Sequence, residues 1–136
     1  MKRFFVDSGA LLAMLDRSDQ HHAAAAAFAR ANTDATFYLP EPVFIETMLL
    51  VKARLGADPA VELGNRLMSS SRYRLLYLTA EERHAIWDLF GRYTDKAWSY
   101  VDCASLAAAR RLRVFDVFAF DHHFDQMAEI TRVPVG

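Results

Sequence analysis

A single cysteine, Cys103, is all the chain contains. One thiol cannot close an intrachain disulfide or build a multi-cysteine zinc site, and it suits a reducing cytoplasm. An excess of one charge is also missing: 16 Lys and Arg against 17 Asp and Glu give a formal net charge of -1. That balance weighs against an avid non-specific binder of polyanions, so nucleic acid must be met by a local patch or by bound metal. No apolar run approaches the roughly 18 residues that span a bilayer, and no membrane partner is expected. The basic start Met1-Lys2-Arg3 leads into Phe4-Phe5-Val6, but Asp7 ends that apolar run at once and no small-residue cleavage site follows by Leu15. A signal peptide is therefore not expected, and the expected location is cytoplasmic. Repeats, low-complexity tracts and linkers are absent as well.

What is present fits one domain over 1–136. Hydrophobic residues make up 53% and charged residues 24%, the composition of a globular chain. A domain of this size buries roughly two-thirds of its unfolded surface and needs no staple. Phe4-Phe5-Val6 reads as a short buried strand, and Asp7-Ser8-Gly9 as the start of a helix over 10–15. An Ala-rich helix follows over 21–31, anchored by Phe28, and then a strand over 36–39 stopped by Pro40 and Pro42. Helices are expected over 43–55, ending at Gly56, and over 59–68, with a serine loop over 69–71. A third strand covers 73–78. Thr79 and Glu82 form a capping box for the next helix, which carries Ile86, Leu89, Phe90 and Tyr93 on one face. Ser99 starts a helix that ends near Arg113; strands over 117–120 and 131–135 complete the chain.

Strands alternating with helices predict an α/β fold: a parallel sheet covered on both faces, with ligands beyond the carboxyl ends of its strands. Asp7 and Asp121 each follow an apolar strand, while Glu46 and Asp102 lie in the first turns of helices. Four acids remote in sequence thus have separate reasons to meet at one rim. Helix N-termini favour their ionised forms. Each close pair still costs about 4 kcal/mol at an effective dielectric near 20, a penalty that a hard divalent cation such as Mg²⁺ or Mn²⁺ removes. Taken singly, Asp102 reads equally well as a helix cap and Glu46 as a surface or capping residue; the joint pattern makes the case.

Four segments carry a resemblance. Phe5-Val6-Asp7-Ser8, Pro42-Val43-Phe44-Ile45-Glu46, Trp98-Ser99-Tyr100-Val101-Asp102-Cys103-Ala104-Ser105 and Val117-Phe118-Ala119-Phe120-Asp121-His122-His123-Phe124 resemble, in order, the acidic motifs of PIN domains. The length resembles the single-domain VapC-type toxins of toxin–antitoxin systems. The resemblance implies a PIN-like three-layer α/β/α fold with a central parallel twisted sheet. It also implies a metal-dependent ribonuclease in which Asp7, Glu46, Asp102 and Asp121 are both catalytic residues and ligands to Mg²⁺ or Mn²⁺. Expected partners are the RNA substrate, an antitoxin protein and a second copy in a homodimer. Ser8 either orients phosphate or ligand water, or caps a helix; Asp125 is either a supplementary acid or a solvated helix residue. The glycine common a few residues beyond the fourth motif is missing, which leaves the last loop and strand open.

Other residues invite different readings. His21-His22 and His122-His123 are adjacent pairs that do not share a helix face and lack zinc-protease spacing, so zinc is not expected; contact of His122 or His123 with RNA is read as incidental. Arg110, Arg111 and Arg113 read as a solvated helix C-terminus, with RNA contact as the other reading. Lys96 and Trp98 could flank substrate, but Trp98 reads better as core, like Cys103 and the stripe Ile45-Met48-Leu49. The competing functions are a catalytically inactive PIN-fold module that binds RNA or protein, and phosphoryl transfer on another parallel sheet. Glycine at position 9 denies the latter its Asp-x-Asp, and Lys2, Lys52 and Lys96 fit no strand-end lysine.

Overall fold

Strands and helices alternate in the order β1 (Arg3–Val6), α1 (Ser8–Leu15), α2 (His22–Ala31), β2 (Thr36–Pro40), α3 (Glu41–Leu55), α4 (Ala57–Ser69), β3 (Tyr73–Leu76), α5 (Ala80–Arg92), α6 (Tyr100–Leu112), β4 (Asp116–Phe118) and β5 (Thr131–Val133). A 3-10 turn, His122–Gln126, links the last two strands. The computed structural model describes residues 2–136; Met1, part of the basic start, lies outside them. All strand pairings are parallel and the sheet order is β3-β2-β1-β4-β5. None of the described helices is long and apolar enough to cross a membrane.

Pleating divides the core into two layers. Phe4 and Val6 of β1 join Phe37, Leu39 and Phe118 beneath α1 to α4, where Leu11, Val43, Val51 and Leu63 meet them. Phe5, between them in sequence, faces the other way with Val117, against Ile86 and Leu89 of α5 and Cys103 and Leu106 of α6. The result is three layers, helix on sheet on helix. Phe28 anchors α2 as its sequence predicts, its ring edge-on to Phe4 at 5.2 Å and 4.5 Å from Phe118.

Topology fixes where a ligand can sit. From β1 the chain steps outward to β2 and β3 with its helices on one face; it then returns across β1 to β4 with α5 and α6 on the other. The direction of winding therefore reverses between β1 and β4, the switch point at which open parallel sheets leave a crevice. The Asp7 N–H donates to the Phe118 carbonyl at 2.9 Å and holds those two strand ends together.

Several boundaries shift for physical reasons. β4 stops at Phe118 instead of 120: the Ala119 N–H still donates to the Val133 carbonyl (3.0 Å), but the Phe120 ring stacks on His21 at 4.4 Å. β3 stops at Leu76, short of the Thr79–Glu82 capping box that opens α5. α4 extends from Ala57 to Ser69, and β5 pairs with β4 despite the missing glycine. Gly56, at φ 101°, ends α3 in the left-handed region that favours glycine. The α3 stripe is the clear correction. Ile45 and Leu49 are 53% and 67% exposed, and α3 instead buries Val43, Thr47 and Val51. Only Met48 keeps a packing role, with its Sδ 3.2 Å from where a Cβ on Gly64 of α4 would stand.

Candidate metal centre

The rim at the switch point holds a cleft of about 340 Å³, lined by Asp7, Ser8, Glu46, Asp102, Asp121 and His123 with Gly9, Leu50 and Ser99. Asp7 is the residue at which β1 becomes α1. Its backbone does the capping: the carbonyl accepts from Ala10 and Leu11, both at 3.2 Å, and the side chain makes no cap bond. The carboxyl is thereby free to face the cleft. It is buried, and Oδ1 has no hydrogen-bond partner.

Burial, then repulsion from Asp102 and Glu46, raises the Asp7 carboxyl to about 7; the Ser8 backbone N–H partly opposes this and Asp121 adds to it. An orphaned buried oxygen in a cleft of four acids, with no Lys or Arg among the described lining residues, is an arrangement that could hold a divalent cation.

The other acids are held by their local structure. Glu46 projects from the second turn of α3, and the buried Ser8 hydroxyl donates to its Oε1. Ser8 therefore orients an acid of the cleft and does not cap α1, whose N-cap is Asp7. Asp102 does what both of its readings require. Its Oδ2 accepts from the Ser99 N–H at 2.9 Å, while its own N–H donates to Ser99 Oγ at 3.0 Å, a complete capping box at the head of α6. The same carboxylate lines the cleft. Asp121 follows β4 after two intervening residues, and its Oδ1 accepts the His123 N–H at 2.9 Å.

His123 is the lining residue that sequence reasoning set aside. Its Nδ1 lies 3.0 Å from Asp102 Oδ2 and 3.3 Å from Asp121 Oδ1. The available signal was its place two residues after a strand-end acid; with zinc excluded by the spacing of the adjacent histidines, the ring was read as incidental. Asp125 is not brought to the cleft. Arg132 Nε holds its Oδ1 at 2.9 Å and His122 Nδ1 meets its Oδ2 at 2.9 Å; hydrogen bonds from Arg132, then His122, keep its carboxyl below the usual range.

The basic cluster is exposed at the C-terminal end of α6, as its sequence predicts, and none of it lines the cleft. Arg110 grips Glu129 through two 3.0 Å bonds, and Arg111 pairs with Glu82 at 2.9 Å. Trp98 is core, its Nε1 donating to Gln126 Oε1 at 2.9 Å, and Cys103 is buried.

A family model described as PIN domain matches residues 4–130. The 23S rRNA-specific endonuclease VapC20 of Mycobacterium tuberculosis is 27% identical over 120 residues, covering 88% of this chain and 90% of that one. The crystal structure of M. tuberculosis VapC20, a sarcin–ricin loop cleaving toxin, superposes with a TM-score of 0.83 at 25% identity, over 90% of this chain and 93% of its own. DNA-bound VapBC from Salmonella typhimurium shares the fold at a TM-score of 0.64 and 15% identity, covering 97% of each chain.

Proposed function

The chain belongs to the PIN domain family, and on that premise we propose that it is a metal-dependent endoribonuclease, the toxin of a type II toxin–antitoxin pair. One observation carries this reading: Asp7, Glu46, Asp102 and Asp121 converge on a single cleft in which a buried Asp7 oxygen has no partner. These four carboxylates are the metal ligands and catalytic residues, and the ion is Mg²⁺ or Mn²⁺. When bound, it supplies Lewis-acid activation of water and offsets charge at the scissile phosphate.

The protein's own groups act by position. Ser8 aims Glu46, the Ser99 N–H aims Asp102, and the His123 N–H aims Asp121. Both serines of the cleft are committed, Ser8 to Glu46 and Ser99 to the α6 cap, which leaves water as the nucleophile. Asp125, held by Arg132, is outside the set. The likeness to VapC20 puts the sarcin–ricin loop of 23S rRNA first among substrates to try. The toxin acts in the cytoplasm, where its RNA substrate and its antitoxin partner are found.

The test is cleavage of an RNA panel, including a sarcin–ricin stem-loop, with Mg²⁺, Mn²⁺ or chelator. Wild type cuts only with metal, and Asp7→Asn loses at least about 100-fold. Equal activity in both proteins that vanishes on repurification refutes the nuclease and leaves a binding module. The resemblance also calls for a homodimer; light scattering after size exclusion should give twice 15.4 kDa.

A further inference from the structure

Four acids explain the cleft's charge but leave its imidazole unused. His123 sits on the 3-10 turn that Asp121 opens, with its backbone N–H fixed to Asp121 Oδ1 and its ring only 34% exposed. That anchor turns Nδ1 inward, to 3.0 Å from Asp102 Oδ2 and 3.3 Å from Asp121 Oδ1. One donor atom from each of these three residues lies within 4.8 Å of the other two. Two ligands bound at right angles to one ion, each at about 2.1 Å, stand about 3.0 Å apart. The two separations from His123 Nδ1 are those of neighbours on one coordination sphere. The unpartnered Asp7 Oδ1 in the same cleft is a second, independent oxygen that a cation there would satisfy.

We propose that His123 is itself a ligand of the divalent ion, through an imidazole nitrogen, and that the centre is a mixed nitrogen–oxygen site tuned to Mn²⁺ over Mg²⁺. This rests on the metal-nuclease reading and sharpens it. Mg²⁺ binds oxygen almost exclusively and keeps much of its water, whereas imidazole is a good ligand for later first-row ions. Nδ1 ligates in the neutral tautomer that carries its proton on Nε2, and the same nitrogen that meets two carboxylates without metal then shares the ion with them. The competing role for the ring is purely positional, as an N–H donor that aligns Asp102 and Asp121 from outside the coordination sphere.

Nitrogen coordination can be read directly. The full chain is loaded with Mn²⁺ and examined by pulsed electron paramagnetic resonance for ¹⁴N modulation, beside His123→Asn and, as a control for a neighbouring ring, His122→Asn. Nitrogen coupling is expected in wild type and His122→Asn and is lost in His123→Asn. Titration calorimetry should show Mn²⁺ affinity falling about 10–100-fold in His123→Asn while Mg²⁺ affinity changes far less, so the ratio of the two affinities collapses. Mn²⁺ bound to wild type without nitrogen coupling, or coupling that survives in His123→Asn, overturns the proposal and leaves the four-acid centre standing. Absence of any saturable site that Asp7→Asn removes overturns both. A wild-type spectrum without nitrogen coupling overturns the proposal however well the variants fold, and retained Mg²⁺ affinity in His123→Asn shows that its loss of coupling is not loss of fold.

Discussion

Asp7 bears a cost that its neighbours do not relieve. Its carboxyl is buried beside Asp102 and Glu46, one oxygen has no partner, and its pKa is raised to about 7 from 3.8. Because the folded value lies above the unfolded one, the stability tied to this group is whole below about pH 4 and is lost as pH rises through 7. The full shift corresponds to on the order of 4 kcal/mol. In chelator, the melting temperature of wild type should therefore fall between pH 5 and 7.5, and that of Asp7→Asn should fall much less. In the proposed centre Mn²⁺ would take the place of the proton, so its stabilising effect should be larger at pH 7.5 than at pH 5.5. Scanning calorimetry at the two pH values checks both; identical pH slopes for the two proteins would remove Asp7 as the source. The strand-end position of this acid was legible because Phe4-Phe5-Val6 is a local signal. His123 was not, because its role depends on where a 3-10 turn points a ring, and nothing in the spacing of two adjacent histidines encodes that.

At the scale of elements, α6 joins folding to chemistry in one side chain. Asp102 closes the capping box with Ser99 and also lines the cleft. Two substitutions separate these duties. Asn keeps an oxygen that can accept the Ser99 N–H and loses only the charge, whereas Ala loses both. Both variants should be inactive, but Asp102→Ala should be less stable than Asp102→Asn by about 1 kcal/mol in urea unfolding. Equal stabilities would mean that the cap contributes nothing here. Both caps were readable because each pairs residues only three apart; most of the α5 face was too, since Ile86, Leu89 and Tyr93 pack inward while Phe90 is 39% exposed, but the face α3 buries was not. On α3 the apolar set Ile45, Met48 and Leu49 and the buried set Val43, Thr47 and Val51 both follow helical spacing, and packing chose the set that contains a threonine. Thr47 is tolerated there because its hydroxyl donates to the Val43 carbonyl at 2.7 Å. The partners of Arg110 and Arg111, Glu129 and Glu82, lie on segments far away in sequence, beyond what a local charge pattern can reveal.

For the molecule as a whole, the reversal of winding between β1 and β4 puts the end of each strand beside one crevice, and α3 and α6 deliver one more acid apiece. The alternation of strands and helices made that rim legible, while the sheet order that joins Asp7 to Asp121 needed the structure. A site assembled from four distant segments exists only in the folded chain, so toxicity should follow the folded and charged site and not the mere presence of the protein. Asp102→Asn is the informative control, since it keeps the cap and removes one carboxylate charge from the cleft. Induced expression of wild type should arrest growth, expression of Asp102→Asn at equal soluble level should not, and coexpression of the cognate antitoxin should restore growth to wild type. Mapping RNA 5′ ends in arrested cells should show one dominant new end, and the sarcin–ricin loop of 23S rRNA is the first place to look. Growth arrest by Asp102→Asn as severe as by wild type would trace the effect to expression load and separate the toxin role from the nuclease; arrest confined to wild type but without a new RNA end would point to a target other than RNA.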